Sequence, residues 1–176
     1  DEAYWTELGF ERDGTEISWN DAVDVFRDRT GRYGPAGWEG GTYPQGTDRL
    51  PVSGISWYEA AAYARFRGKQ LPTIYHWNSM TIFPSREEIE TTKDDRPGYG
   101  LFRSELAALS NFSNNGAAEV GSHKGVAPFG TYDAAGNVRE WCWNATGDGG
   151  ERYILGGSSQ DPTYLYTYGV AKSPWD

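Results

Sequence analysis

The sequence predicts a single α+β domain, with two principal helices and small twisted antiparallel sheets held by many loops. Three observations carry that class. Two Ser-capped apolar stripes of helical period lie in the first half, short extended runs separated by turns follow Leu106, and 23 glycines accompany 8 Trp, 12 Tyr and 7 Phe. The 176 residues suit one hydrophobic core and are too few for two comfortable ones, so 1–176 reads as one domain. The chain begins without Met and stops at Pro174-Trp175-Asp176, which fits a C-terminally incomplete piece of a larger protein.

The first stripe is Trp19, Ala22, Val23 and Phe26 behind Ser18, which predicts a helix over 19–29 ended by Gly31. Ser56 and Glu59 form a capping-box pair ahead of Trp57, Ala60, Ala61 and Ala64, predicting a second helix to about Phe66, closed by Gly68. Between them, Pro35, Gly37, Gly40, Gly41, Pro44, Gly46 and Pro51 interrupt the chain too often for a long regular element. Residues 33–54 therefore read as an ordered loop pinned by Tyr33, Trp38 and Tyr43. Thr73 can cap a short helix anchored by Trp77, and the polar stretch 84–100 reads as variable surface. Extended pieces are expected at 118–120, 130–132, 138–143, 152–155 and 164–168.

A net charge of −9 disfavours nucleic acid and anionic membranes, which are bound by clustered Lys and Arg, and leaves metal cations as plausible partners. No run approaches 18 apolar residues, and the first residues lack the basic start and apolar middle of a signal peptide. Neither membrane insertion nor an export signal is expected of this stretch. Cys142 is the only cysteine, and His76 and His123 are the only histidines, so an internal disulfide is excluded and a His-rich zinc or iron centre is disfavoured.

Four motifs then occur in order: Pro51-Val52-Ser53-Gly54-Ile55-Ser56-Trp57-Tyr58-Glu59-Ala60-Ala61-Ala62-Tyr63, Gly68-Lys69-Gln70-Leu71-Pro72-Thr73, Phe129 through Trp141, and Leu155-Gly156-Gly157-Ser158. On these the chain resembles the formylglycine-generating or sulfatase-modifying-factor family over nearly its whole length. The variants Leu71-Pro72-Thr73-Ile74-Tyr75-His76-Trp77 and Gly130-Thr131-Tyr132-Asp133 look like those attached to bacterial Ser/Thr protein kinases. The resemblance implies a C-type-lectin-like formylglycine-generating-enzyme fold in a bacterial protein whose compartment stays open. Active members use paired cysteines that hold copper, two soft thiolates in one pocket. Here Ser158, Ser159, Gln160, Asp161, Pro162 and Thr163 follow the Gly-Gly-Ser start with no cysteine after them, so no catalytic residue is assigned and no copper is expected. Cys142 reads as a core thiol.

The preferred function is a non-catalytic ligand- or protein-recognition or sensory module of a larger protein such as a kinase. Trp38, Tyr43, His123 and Trp143 are its candidate ligand surface, although for Trp38, a loop aromatic in a Trp-rich chain, core is the preferred reading. The alternatives are a sulfatase-modifying or other oxygen-dependent oxidoreductase, drawing on His123, Glu140, Asp133, Arg139 or Tyr132, and a structural assembly domain. The resemblance also implies structural calcium at two places, Asn111 with Phe112, and Asn137 with Val138 and Glu140. Amide, carbonyl and carboxylate oxygens suit that hard cation. Polar pairing without an ion is the competing reading for both, with Gly136-Asn137 closing a turn and Glu140 pairing with Arg139 or another base at the second, and Asn114, Asn115 and Gly116 serving the loop at the first.

Overall fold

A computed structural model describes residues 2–12, 14–81, 104–147, 149–167 and 169–176. The elements run α1 (Glu2–Leu8), β1 (Glu11–Arg12), β2 (Thr15–Glu16), α2 (Trp19–Val23), α3 (Trp57–Phe66), α4 (Ile74–Thr81), β3 (Glu140–Ala145), β4 (Arg152–Leu155) and β5 (Val170–Lys172). β1 and β2 pair antiparallel, while a three-stranded sheet has the order β3-β4-β5. This is the small-sheet α+β class expected, with α3 and α4 as its longest labelled helices. Two compact units divide the chain, one comprising Asp1–Leu71, Trp143–Tyr153 and Ala171–Asp176, the other Pro72–Cys142 and Ile154–Val170.

In the first unit, α3 follows the capping chemistry written in its sequence. The Ser56 side chain accepts from the Glu59 backbone N–H, and the Glu59 carboxylate accepts in return from the Ser56 backbone N–H. Trp57, Tyr58, Ala60 and Ala61 form its buried face. Phe10, Phe26, Tyr58 and Trp175 cluster around one another, with Tyr58 and Trp175 centroids 4.7 Å apart. Trp57 packs against Trp143 at 5.1 Å, and the Arg152 guanidinium covers the Trp57 ring at 3.9 Å.

α2 is shorter than the 19–29 span expected, and the physical reason is Asp28. Its buried carboxylate accepts from the backbone N–H of Thr30, Arg32 and Gly41 and from the Thr30 hydroxyl. Those bonds fold 27–33 back on itself, where Arg27 bridges Tyr33, a path that a helix through 29 would forbid. Burial alone would raise this carboxyl, but the four hydrogen bonds outweigh it and hold the group at about 2.

In the second unit, Thr73 starts α4 by accepting from the His76 backbone N–H, and Trp77 is its buried anchor. Trp77 and Phe112 both meet Tyr166 edge-on. Two expected strands are absent. Residues 118–120 are irregular, the N–H and carbonyl of Ala118 held by the Asn137 side chain, and Thr163–Thr167 is a 3-10 turn. Of 130–132, only Tyr132 joins an isolated bridge, to Val126. The polar stretch 84–100 lies outside the described residues.

Candidate binding site

The recognisable motifs of the second unit meet at a backbone crossing. Asn137 N–H donates to the Asn111 carbonyl at 2.9 Å, Gly136 N–H to Gly156 at 2.8 Å, Ser159 N–H to Asn137 at 2.9 Å and Asn114 N–H to Ser159 at 2.7 Å. The approach is too close for a side chain at Gly136, where a Cβ would lie 2.4 Å from the Asn111 oxygen. Side chains complete the crossing. Asn137 Oδ1 accepts from Asn111 Nδ2 at 3.0 Å and from Ala118 N–H at 2.8 Å, while Asn114 Nδ2 donates to Asn111 Oδ1.

The two calcium candidates are thus brought together at Asn111 and Asn137, with Phe112 buried and Val138 half-buried beside them in sequence. Both lone pairs of Asn137 Oδ1 have donors, which is the hydrogen-bonding alternative in structural form. Glu140 differs. Trp77 Nε1 donates to its carboxylate at 2.6 Å, and Arg139 turns instead to Asp161. Desolvation pushes the Glu140 carboxyl up to about 7, the Trp77 bond pulls against it, and the charge of Asp133 raises it further. A carboxyl in that setting gains from a cation. The donors fit calcium in kind, being all oxygen, though no cluster of three or more His, Cys, Asp or Glu occurs among the described residues.

After Gly-Gly-Ser the chain is fastened as a salt-bridged turn. The Asp161 carboxylate accepts from Arg139 Nε and from the Ser158 backbone N–H and hydroxyl, which together hold it below the usual range even though burial opposes them. Cys142 is fully buried, and its thiol is pushed up to about 12 by burial and then by Glu140. Such a thiol supplies no thiolate at neutral pH. With one cysteine in 176 residues, a two-thiolate metal centre cannot be assembled from this chain.

Of the expected ligand surface, Trp38 and Tyr43 are brought together, their rings edge-on at 6.2 Å. Trp143 packs on Trp57, and half-buried His123 lies 3.3 Å from the Ser122 hydroxyl. Trp38 joins the wall of a cavity of 1040 Å³ that belongs wholly to the first unit, with Trp5, Phe26, Tyr63, Phe66 and Arg67 among its lining. That volume is in the range of small-molecule sites. Phe66 is 83% exposed and Tyr63 60%, large aromatics at the open side of α3. Sequence reasoning missed both. Their signal was available, since neither belongs to the buried Trp57, Ala60, Ala61 stripe, and an aromatic off the stripe of an amphipathic helix is exposed unless something covers it.

Fold and site define a small α+β scaffold whose motif residues serve architecture and whose concavity is aromatic. The chain matches the model of the sulfatase-modifying factor enzyme 1-like domain over residues 11–173, and it belongs to that family. It is similar to a serine/threonine-protein kinase, pkn1, of Chlamydia pneumoniae, 32% identical over 55% of this chain and 14% of the relative. A formylglycine-generating enzyme of Streptomyces coelicolor is 32% identical over 55% of the chain and 33% of the enzyme. An inactive C-alpha-formylglycine-generating enzyme 2 of Bos taurus is 34% identical over 52% of the chain and 32% of the relative. The matches therefore span a third or less of these curated relatives. Among solved structures, Treponema denticola variable protein 1 shares the fold with a TM-score of 0.52 at 21% identity, over 89% of this chain and 75% of that one.

Proposed function

We propose that this domain is a non-catalytic recognition module of a larger bacterial protein, and that the aromatic cavity of its first unit receives the ligand. The cavity itself carries the reading: 1040 Å³, with exposed aromatic side chains at its lining, in a chain that lacks the paired thiolates of the oxidising relatives. Similarity to both a kinase and an inactive relative supports attachment to a signalling protein, with the family scaffold retained for binding. Selective retention of a compound or protein on a broad array by the intact protein and by this domain is the expected result. Retention of nothing by either would overturn it. Copper titration with a cysteine-peptide oxidation assay addresses the oxidoreductase alternative, and turnover there would replace this reading.

Calcium at the Asn137–Glu140 segment is proposed as a structural cofactor. Its support is the desolvated Glu140 carboxyl, whose hydrogen-bond partner among the described residues is the neutral Trp77 indole. In this role the ion would neutralise Glu140 and tie the glycine-rich segments together.

A further inference from the structure

The cavity lining has a charge pattern that the overall composition hides. Arg67 and Lys69 line the cavity just beyond the last turn of α3, and among the described residues neither forms an ion pair, although the chain carries a net charge of −9. Arg67 is held in place, donating to the Tyr63 hydroxyl at 2.9 Å with its guanidinium 5.9 Å from that ring. Neither side chain is needed to finish the helix, because the backbone N–H groups of Arg67, Gly68 and Lys69 already satisfy the carbonyls of Tyr63, Arg65 and Ala64. Glu59 also lines the cavity. Its carboxylate is engaged by the Ser56 N–H and hydroxyl in the first turn, about 12 Å along the helix axis from Arg67.

We infer that the cavity takes a monomeric amphiphile, an aromatic or aliphatic body against Trp5, Phe26, Trp38 and Phe66 with an anionic head at Arg67 and Lys69. The apolar walls supply affinity through area removed from water, and the two cations choose the sign of the head group. A concave site holds one molecule, in contrast to a flat aromatic face that would lie on a lipid surface. This assignment rests on the reading of the cavity as the recognition site.

The test is displacement of 1-anilinonaphthalene-8-sulfonate from the full chain by decanoate, decyltrimethylammonium and decanol, each kept below its aggregation threshold. The dye should bind one-to-one, and decanoate should displace it at least about tenfold more tightly than the cationic chain of equal length. The double variant Arg67→Gln/Lys69→Gln should bring those two within about threefold without moving the melting temperature, and Phe66→Ala should weaken both alike. Equal displacement by the cation, no dye binding, or binding only to anionic vesicles each overturns the assignment. If the amphiphiles fail while Phe66→Ala still abolishes capture of an array ligand, the ligand class falls and the recognition reading stands. If that capture is also unaffected, both fall.

Discussion

Replacing Gly136 by Ala should nearly unfold the second unit, whereas Gly130→Ala should be tolerated. Both glycines have left-handed backbone, φ +72° and +81°, so an Ala at either position costs about 1 kcal/mol from its Cβ alone. Around Gly130 nothing lies within 4 Å of a built Cβ, and that is the whole cost. At Gly136 the Cβ would overlap the Asn111 carbonyl, backbone that cannot swing aside, and would stand 3.0 Å from the Phe112 ring. Relief requires separating the two segments, which breaks the Asn137 to Asn111 hydrogen bond and misaligns Gly136 with Gly156. Added to that backbone cost, overpacking of roughly 1–3 kcal/mol and an exposed pair of buried polar groups at roughly 1–3 kcal/mol bring the total to about 5 kcal/mol. At about 2–4 °C per kcal/mol for a chain of this size, Gly130→Ala should lower the melting temperature by about 3 °C and Gly136→Ala by more than about 10 °C. Circular dichroism melts of the two variants decide it. Equal shifts would show that the crossing is not what holds this unit together.

Asn137→Ala should cost about 2–4 kcal/mol in urea denaturation, because the Ala118 N–H and C=O both lose their partner while Asn111 loses an acceptor. Glu140 has a folded value of about 7 against 4.5 free, so its neutral form stabilises the fold fully below pH 4.5 and that contribution disappears as pH rises through 7. At 1.36 kcal/mol per unit the loss is at most about 3 kcal/mol. Melts in chelator from pH 4.5 to 8 should show it, and Glu140→Gln should flatten the slope. Asp28 has the opposite sign: its stabilisation is present above 3.8 and lost as pH falls through about 2, so Asp28→Asn should lower the melting point at pH 7 and shrink the acid-side decline. For calcium, chelation should lower the melting temperature and Glu140→Ala should abolish that sensitivity. No uptake at millimolar calcium by isothermal titration, with an unchanged melt, would sink the ion.

Local chemistry was legible wherever neighbours in sequence are also partners in space. Ser56 with Glu59, Gly68 after α3 and Thr73 before α4 all depend on contacts within a few residues. α2 misled because its stripe of period 3.6 says nothing of Asp28, whose fourth donor, Gly41, is thirteen residues away. Tyr164 to Tyr168 carries strand-like aromatics, yet it follows Pro162, whose carbonyl accepts from the Leu165 N–H and starts a turn. The motifs Gly136-Asn137 and Gly156-Gly157 could be recognised without their reason, which is the close crossing with Asn111 and Phe112. Trp38 was found because a loop tryptophan is conspicuous. Tyr63, Phe66, Arg67 and Lys69 were passed over because each is ordinary until the cavity assembles them.

Recognition by this domain requires that the aromatic cavity bind its ligand. Equilibrium titration of an array-retained ligand against the wild-type chain and the Tyr63→Ala/Phe66→Ala variant is the direct measurement, since both rings are exposed and their removal should spare the fold. An affinity loss of at least about tenfold with an unchanged melting temperature is the expected result. Unchanged affinity in the variant would place recognition elsewhere and contradict the assignment of the cavity.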